Sequence, residues 1–437
     1  MKKILFFLIL SNAALAQLPQ KAKLDQYFDR LAEKNKAMGN ISIAKDGKVL
    51  YTRSIGYGQV NVKPLTVENR FRIGSITKMF TTAMIFQLIE EGKLQLTDTL
   101  DKFFPQIPNA GKITMAQILG HRSGITNAKR TQTPQDNVNT LPITKDEMLT
   151  LITNGKPDFE PGTKHGYSNA GYLVLGLILE KVTGKPYAEN LEKRITGRIG
   201  LKDTYMAIGN IDVNKKEALS YMYLSGWKQM PETHPSMLFS AGAIMSTPND
   251  LNKFILALFE GKIISKESLG QMKTMSEGEG MGMEPFSFAG KTFYGHTGGV
   301  DNYGAWLAYL PEEKLAVAYT TNAKVTPVKD IVSGVIDIYY DKPFQIPSFE
   351  PIAVSAEVLD QYVGTYSIAG APMKFTISRQ GSILFIQPPS EQSPAPLEAI
   401  AQDKFQIQGA IVVEFDVAQK QMIIKRGGGQ RVFTKDK

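Results

Sequence analysis

The chain has 437 residues, 43% of them hydrophobic and 21% charged, which is typical of a globular protein and excludes a disordered, fibrous or multi-span membrane protein. The formal net charge is +8, but lysine and arginine form no block along the chain, so no nucleic-acid partner is predicted. The absence of cysteine excludes disulfides, thiolate metal sites and a cysteine nucleophile. The four histidines form no His-Glu-x-x-His pair, so a zinc hydrolase is not predicted. We expect neither a metal nor another cofactor.

The N-terminus has the features of a cleavable signal peptide over residues 1–16. Two lysines precede an apolar run at residues 4–10, and residues 14–16 (Ala-Leu-Ala) form a small-x-small cleavage signal. The apolar run is too short to remain as a stable membrane anchor. The sequence therefore predicts a periplasmic or secreted protein.

A helix and a β-hairpin are predicted next. Residues 24–37 carry apolar side chains on one helical face. Two alternating runs, residues 41–45 and 48–52, are joined by Asp46-Gly47, a pair that favours a tight hairpin turn because both positions adopt positive φ.

Helices then dominate from about residue 76 to residue 260. Several begin with capping chemistry, in which a threonine is followed three residues later by a side chain suited to the first turn. These pairs are Thr114 with Gln117, Thr144 with Glu147, and Thr247 with Asp250.

Strands return after the helical stretch and a helix follows them. The predicted strands cover residues 292–299, 304–310 and 315–321, and the helix covers residues 328–340. Strands at both ends with helices between them predict an α/β fold. We expect an antiparallel sheet flanked by helices, plus an all-α lobe.

The C-terminal part differs from the rest. Residues 342–355 are rich in proline and are predicted to be a linker between a domain at residues 17–341 and a small β-barrel at residues 356–437. The barrel prediction depends on short alternating segments at residues 373–378, 383–387, 405–408, 411–415 and 422–425.

A serine and a lysine lie one turn apart at the start of an apolar helix. Ser75 and Lys78 are separated by three residues, so they share one helical face, and Gly92 is a suitable C-terminal stop. The helix dipole favours negative charge at Ser75, and an apolar environment favours a neutral lysine that accepts a proton. The alternative is an N-cap serine with a solvated lysine.

Two further segments support a catalytic interpretation. Tyr167-Ser168-Asn169 precedes a second apolar helix, residues 170–182. His296-Thr297-Gly298-Gly299 lies on a predicted strand, where small residues allow a ligand backbone to approach and leave N–H groups available.

With these motifs, residues 24–340 resemble the serine β-lactamase-like family, in its branch of class C β-lactamases, D-Ala-D-Ala carboxypeptidases and esterases. The strand-rich tail resembles the lipocalin-like domain that follows many members, and its small size favours a filled barrel. The best-matched stretches are residues 71–78, 118–125, 161–162 with 167–169, 240–242 with 246–248, and 296–298.

The resemblance implies roles for the matched residues. Ser75 would be the acylated nucleophile, and Lys78 and Tyr167 would share the proton transfers, with the general base left open between them. Asn169 would position either the substrate amide or the lysine. The backbone N–H groups of Ser75 and Gly299 would form the oxyanion hole.

The third motif departs from the family pattern. Its usual first residue is a lysine, which pairs with a substrate carboxylate, whereas this chain has His296, followed by Thr297 as a second substrate-contacting residue. A histidine is mostly neutral at pH 7, as in the D-aminopeptidase and esterase members, so strong penicillinase activity is not expected. His121 and Ser123 suggest an alternative triad, although a Gly-x-Ser-x-Gly elbow is absent.

The sequence thus predicts an exported serine hydrolase that works through an acyl-enzyme on an ester or a D-amino-acid-type peptide or amide. Its expected partners are small molecules or short peptides, with cell-envelope peptides among the candidates. Two alternatives remain open: a genuine β-lactamase, and a non-hydrolytic protein that recognises penicillin as a sensor.

Overall fold

The computed structural model describes residues 18–127, 140–223, 226–274, 277–350, 352–368, 373–387, 394–407, 411–426 and 429–436. The predicted signal peptide, residues 1–16, lies outside the described residues. The helices are α1 (Lys21–Glu33), α2 (Thr77–Glu90), α3 (Met115–Leu119), α4 (Lys145–Thr153), α5 (Asn169–Thr183), α6 (Tyr187–Leu191), α7 (Gly197–Ile199), α8 (Pro235–Gly242), α9 (Pro248–Phe259), α10 (Lys266–Met272), α11 (Val328–Tyr339) and α12 (Ala356–Tyr362).

The strands fall into two groups, one before and one after the linker. The first group is β1 (Met38–Lys45), β2 (Lys48–Ile55), β3 (Tyr57–Gln59), β4 (Lys63–Pro64), β5 (Phe71–Arg72), β6 (Tyr205–Met206), β7 (Tyr221–Tyr223), β8 (Trp227–Gln229), β9 (Ile244–Ser246), β10 (Glu284–Phe288), β11 (Lys291–Val300), β12 (Tyr303–Leu310) and β13 (Leu315–Ala323). The second group is β14 (Gly364–Ser367), β15 (Lys374–Gln380), β16 (Ile383–Gln387), β17 (Ala395–Ala401), β18 (Lys404–Ile407), β19 (Ile411–Asp416), β20 (Gln421–Arg426) and β21 (Gly429–Lys435).

The main sheet has the order β10-β11-β12-β13-β1-β2, and every neighbouring pair is antiparallel. The predicted hairpin joins β1 to β2, with φ values of 50° at Asp46 and 75° at Gly47. Strands from the two ends of the domain meet in the pair β1–β13, where Met38 lies opposite Ala323. This arrangement confirms the predicted α/β class with an antiparallel sheet.

Helices cover both faces of the main sheet, so the side chains of β12 are buried on both faces. Ala305, Leu307 and Tyr309 belong to the core shared with the helical lobe. The alternate residues Trp306, Ala308 and Leu310 belong to the core shared with α1 and α11. Side chains along a strand point alternately to opposite faces, so a strand with both faces covered is apolar at every position.

The helical lobe is built around α2, which is buried on nearly all sides and packs against α5 and α8. The sequence predicted that residues 74–78 lie at the start of this helix; residues 74–76 form a 3₁₀ turn and the α-helix begins at Thr77. The cause is a sharp turn at Gly74, whose φ is 51°. A Cβ on residue 74 would lie 2.6 Å from the backbone nitrogen of Gly299, so only glycine allows this approach.

The predicted helix caps are all present. Thr114 and Thr144 form capping boxes with Gln117 and Glu147, and the Thr247 side chain accepts from the backbone N–H at residue 250. Gly184 ends α5 in the left-handed region with φ of 65°. None of the described helices is both long and apolar enough to span a bilayer.

One strand of the main sheet was not predicted. β10 contains Pro285, which cannot donate to a ladder, and proline within a run argues against a strand. The strand forms here because it lies at the edge of the sheet, where one side of its backbone needs no partner. Its first residue, Glu284, lies opposite Gly295 of β11.

The C-terminal strands form a closed barrel in the order β14 to β21. The predicted segments correspond to β15, β16, β18, β19 and β20, whereas β14, β17, β21 and the helix α12 were not predicted. Buried side chains from the strands and α12 fill the interior, which agrees with the expected filled barrel. These residues are Leu359, Tyr362, Tyr366, Ile377, Leu384, Ile386, Leu397, Phe405, Val413, Phe415, Met422 and Phe433.

The segment before the barrel has no helix or strand over residues 342–350. One ion pair connects this segment, and a second connects the barrel, to the residues that follow α1. Lys34 Nζ lies 2.7 Å from Glu350 Oε1, and Lys36 pairs with Glu398 on β17. The domain limits 17–341, 342–355 and 356–437 stay predictions.

The isolated C-terminal segment, residues 352–437, is expected to fold on its own because its strands close into a barrel around a separate core. Circular dichroism should give a β-sheet spectrum with a cooperative thermal transition. As a control, Leu384→Asp, which places a charge at a position 1% exposed, should abolish the transition. A random-coil spectrum of the unsubstituted segment would contradict the prediction.

Candidate active site

The Lys78 side chain is fully buried on the first turn of α2. Its Nζ lies 3.0 Å from Ser75 Oγ, 2.7 Å from Asn169 Oδ1 and 3.0 Å from the carbonyl oxygen of Ala241. Burial penalises the ammonium form and lowers the pKa of Lys78 to about 7, although nearby carboxylates oppose this effect. The amine can therefore gain or lose a proton near neutral pH.

Tyr167 approaches the same serine from the loop before α5. Its hydroxyl donates to Ser75 Oγ over 2.8 Å, and Ser75 remains partly exposed to solvent. Burial raises the pKa of the Tyr167 phenol well above its usual value. The phenol is therefore a neutral hydrogen-bond donor at physiological pH.

The hydrogen-bonding capacity of these groups defines a direction for proton transfer. Asn169 Oδ1 and the Ala241 carbonyl oxygen can only accept. A neutral Lys78 amine has two N–H donors for these acceptors and one lone pair left for Ser75. Because Tyr167 donates to Ser75 Oγ, the serine hydroxyl proton is free to point at Lys78. The arrangement can thus pass the serine proton to the lysine.

The start of α5 fixes Asn169. Ser168 caps the helix, accepting from the backbone N–H of Gly171 at 3.0 Å and donating to the carbonyl oxygen of Ile125 at 2.6 Å. Asn169 is the first helical residue; it is exposed, and its Oδ1 accepts from Lys78. Of the two roles that the resemblance implied for Asn169, this contact corresponds to positioning of the lysine.

His121 holds the Tyr167 loop by three contacts. Its carbonyl oxygen accepts from the N–H of Gly166 at 2.8 Å, and its Nδ1 accepts from the N–H of Ser168 at 3.1 Å. Its ring stacks on the Tyr167 ring with a centroid separation of 4.3 Å. Burial lowers the pKa of His121 to about 2, so the ring is neutral and its Nδ1 keeps the lone pair that this arrangement needs.

The alternative triad receives no geometric support from the described contacts. His121 Nδ1 accepts from the N–H of Ser168, and Ser123 Oγ accepts from the N–H of Ile125 at 3.3 Å, so the two side chains have different partners. Both side chains are buried, at 1% and 2% exposure, so a substrate cannot reach them from solvent.

The third motif lies on β11, beside the turn that carries Ser75. A Cβ on Gly298 would lie 1.9 Å from the carbonyl oxygen of Ile73, so the turn and the strand are in direct backbone contact. Thr297 is partly exposed and Gly299 is exposed. The structure therefore brings the predicted site residues together from the turn before α2, the loop before α5 and β11.

His296 is 2% exposed and lies beneath the surface of the site. Its Nδ1 donates to the carbonyl oxygen of Thr297 over 2.5 Å. Burial lowers the pKa of His296 to about 3, so the imidazole is neutral, which agrees with the interpretation from the sequence. Direct contact of His296 with a substrate stays a prediction.

Acidic residues near the site were missed by sequence reasoning. Glu279 Oε2 lies 3.0 Å from His165 Nε2, and Glu284 Oε1 lies 3.7 Å from His296 Nε2. Burial, reinforced by the charge of Glu279, raises the pKa of Glu284 to about 7. No motif signalled these residues, because they precede or begin the unpredicted strand β10. Within the described ranges, no group of histidines and carboxylates is arranged to hold a metal ion.

The family model described as Beta-lactamase matches residues 24–334. The chain belongs to the β-lactamase family. AmpH of Escherichia coli (strain K12), a D-alanyl-D-alanine-carboxypeptidase/endopeptidase, is 23% identical over 390 residues, covering 79% of this chain and 99% of AmpH. With such relatives, the protein is a serine hydrolase related to β-lactamases and penicillin-binding proteins.

Solved structures agree with this assignment. The D-amino acid amidase from Ochrobactrum anthropi SV3, in complex with L-phenylalanine amide, has a TM-score of 0.64 and 25% identity and covers 73% of this chain and 99% of its own. The octameric penicillin-binding protein homologue from Pyrococcus abyssi has a TM-score of 0.64 and 26% identity, with coverage of 94% and 99%. The second match includes most of the barrel as well as the hydrolase fold.

Two substitutions of His121 should show whether its acceptor nitrogen stabilises the protein. His121→Leu leaves the N–H of Ser168 without its acceptor and places a branched side chain at φ of 54°, so we expect a loss of about 1–3 kcal/mol in unfolding free energy. His121→Asn tolerates the left-handed conformation and offers an acceptor oxygen, so its loss should be smaller. Urea unfolding measures both; equal losses would contradict the acceptor role.

Proposed function

We propose that this protein is an exported serine hydrolase that forms an acyl-enzyme at Ser75 and acts on amides or esters of D-amino-acid type. The contacts of the Ser75 hydroxyl carry the proposal. This partly exposed oxygen lies 3.0 Å from Lys78 Nζ and 2.8 Å from the Tyr167 hydroxyl. A nucleophile next to a buried base and a neutral acid has what acyl transfer requires.

Acylation begins with Lys78 as the general base. The neutral amine takes the proton of Ser75 as Oγ attacks the substrate carbonyl carbon, and the carbonyl oxygen becomes an oxyanion. The backbone N–H groups of Ser75 and Gly299 stabilise this oxyanion. The close backbone approach at Gly74 supports this pairing, since a Cβ there would be 2.6 Å from the Gly299 nitrogen.

Tyr167 is the general acid for the leaving group. The bond between the carbonyl carbon and the leaving nitrogen or oxygen breaks as the phenol supplies a proton, and the Lys78 ammonium restores the phenol proton. Water then attacks the acyl-enzyme through the same groups in reverse, releasing the acid and the free Ser75 hydroxyl. The raised pKa of Tyr167 supports its role as an acid, since a phenolate would have no proton to give.

The substrate class is supported by the relatives and by His296. One similar protein is named a D-alanyl-D-alanine-carboxypeptidase/endopeptidase and another a D-amino acid amidase. A neutral His296 provides no cation for a substrate carboxylate, which disfavours strong penicillinase activity. Short cell-envelope peptides that contain D-amino acids are candidate natural substrates. Export is supported by the signal-like features of residues 1–16.

Mass spectrometry can distinguish the proposed hydrolase from the alternatives. The protein is incubated separately with a fluorophosphonate and with a penicillin, and turnover is measured on D-amino-acid amides and simple esters. A fluorophosphonate adduct together with amide or ester turnover supports the hydrolase. A long-lived penicilloyl adduct without turnover indicates a sensor, and fast penicillin hydrolysis indicates a β-lactamase.

Ser75→Ala should abolish both covalent labelling and turnover, because it removes the nucleophile and almost no packing volume. Ser123→Ala is the matched control and should still be labelled, because Ser123 is buried away from solvent. Intact-mass measurement after fluorophosphonate treatment checks both variants. One equivalent of probe on the Ser75→Ala variant would show that another residue is the nucleophile.

The rate of Ser75 phosphonylation should rise with pH through about 7, because the base is the neutral form of Lys78, whose pKa burial lowers to about 7. Below that pH the amine is an ammonium ion and cannot accept the serine proton. Asn169→Asp places a carboxylate at the position 2.7 Å from Nζ and should move the midpoint upward by about one pH unit or more. An unmoved midpoint would mean that another group controls the profile.

A further inference from the structure

The strand β11 has one edge that is only partly covered. β12 pairs with it as far as Val300, but the ladder with β10 stops where Glu284 lies opposite Gly295. Among the described strands, none continues this second ladder along residues 296–300. These residues also contact the turn that carries Ser75. A substrate bound at Ser75 therefore lies next to this uncovered edge.

Glu284 lies at the point where the uncovered edge begins. Burial raises the pKa of the Glu284 carboxyl group, whereas the backbone N–H of Thr297 is close enough to lower it, and Glu284 Oε1 lies 3.7 Å from His296 Nε2. The Glu284 side chain is 20% exposed, so part of it is in contact with solvent. Successive residues of a strand advance by about 3.3 Å, so Thr297 and Gly299 are roughly 7 Å apart. Glu284 thus lies about two strand residues, roughly 7 Å, from the proposed oxyanion donor Gly299, so a carboxylate on the residue after the scissile carbonyl would lie between the two.

Among the described residues, no cation contacts this carboxylate directly. His296 Nε2 is 3.7 Å from Glu284 Oε1, but Nδ1 donates to the carbonyl oxygen of Thr297, so in the neutral ring Nε2 holds a lone pair and no proton. Within the described part of the chain, no lysine or arginine nitrogen lies within 4 Å of the Glu284 carboxylate. Lys78 and Glu279 act on it only through longer-range electrostatics, with opposite signs.

We propose that Glu284 is a specificity-determining residue that disfavours substrates with a carboxylate about one residue from the scissile carbonyl, so that neutral or cationic leaving groups are preferred. This inference rests on the proposed function, since it assumes acyl transfer to Ser75 with the substrate along β11. It distinguishes an amidase or esterase preference from that of a carboxypeptidase or penicillinase, whose substrates carry such a carboxylate.

The discrimination has a defined pH dependence. The pKa of Glu284 is raised to about 7, so its charge, and with it the repulsion of a carboxylate, grows as the pH rises through 7. The other titrating groups that face it are Lys78, Glu279 and His296. Protonation of Lys78 alters the reactivity of Ser75 toward both substrates, and this part cancels in their ratio. Any direct effect of the Lys78 charge on the substrate carboxylate persists in the Glu284→Gln variant, which serves as the reference.

The test compares N-acetyl-D-alanyl-D-alanine with N-acetyl-D-alanyl-D-alaninamide, which differ only in the charge of the C-terminus. The kcat/KM for cleavage of the bond between the two residues is measured at pH 6 and pH 8. In the unsubstituted protein the amide should be preferred, by about tenfold or more at pH 8 and by less at pH 6. Preference for the carboxylate substrate, or a ratio independent of pH, would overturn the proposal.

Three variants test whether Glu284 causes the preference for the amide substrate. Glu284→Gln should bring the two kcat/KM values closer together and reduce the pH dependence of their ratio, mainly by accelerating the carboxylate substrate. Glu267→Gln removes an exposed charge on α10 and should leave the ratio unchanged. Lys324→Gln tests the other end of the edge, where Lys324 Nζ lies 3.9 Å from the Cβ position of Gly299. An effect of Lys324→Gln alone would overturn the assignment to Glu284.

Two measurements separate failure of this inference from failure of the proposed function. Fluorophosphonate labelling of Ser75 reports the nucleophile independently of substrate preference. If neither peptide is turned over, their protection of Ser75 against labelling is compared, and the amide should protect at lower concentration. If Glu284→Gln does not fold, the ratio and its pH dependence in the unsubstituted protein decide the outcome.

Discussion

The burial of the Lys78 amine inside the helical lobe is the constraint on which the site depends. An ammonium ion is unfavourable there, and its pKa falls to about 7 only because α2 is apolar on nearly all sides and covered by α5 and α8. The amine contacts two acceptors that cannot donate, which leaves its lone pair for Ser75. The basicity of the lysine is therefore a property of the whole lobe core.

The site itself forms where the lobe meets the sheet. Glycines at residues 74 and 298 allow the backbone of the Ser75 turn to touch β11. From the opposite side, His121 holds the residues on either side of Tyr167 and supports the phenol ring. The nucleophile, the acid and the strand edge are thus held by backbone contacts as well as by side chains, which favours a preorganised site.

The sequence predicted most of the elements that carry local signals. The Asp46-Gly47 hairpin, the threonine caps and the apolar helices α2 and α5 follow from periodicity and capping, which depend on near neighbours. The strand β10 was missed, because Pro285 is tolerated only by virtue of its place at a sheet edge. Glu284 was missed with it, since its proximity to His296 arises from strand pairing and not from any motif.

The order of the main sheet has a consequence for how the chain folds. β1 and β13 are neighbours, so Met38 can pair with Ala323 only after the entire helical lobe between them has been synthesised. Closing so long a loop is entropically costly, and folding slows as contacts become more distant in sequence. The lobe can gain structure early from its local helical contacts. The central sheet can be completed only late in synthesis. The contact between β11 and the Ser75 turn, which forms the site, is therefore also completed late.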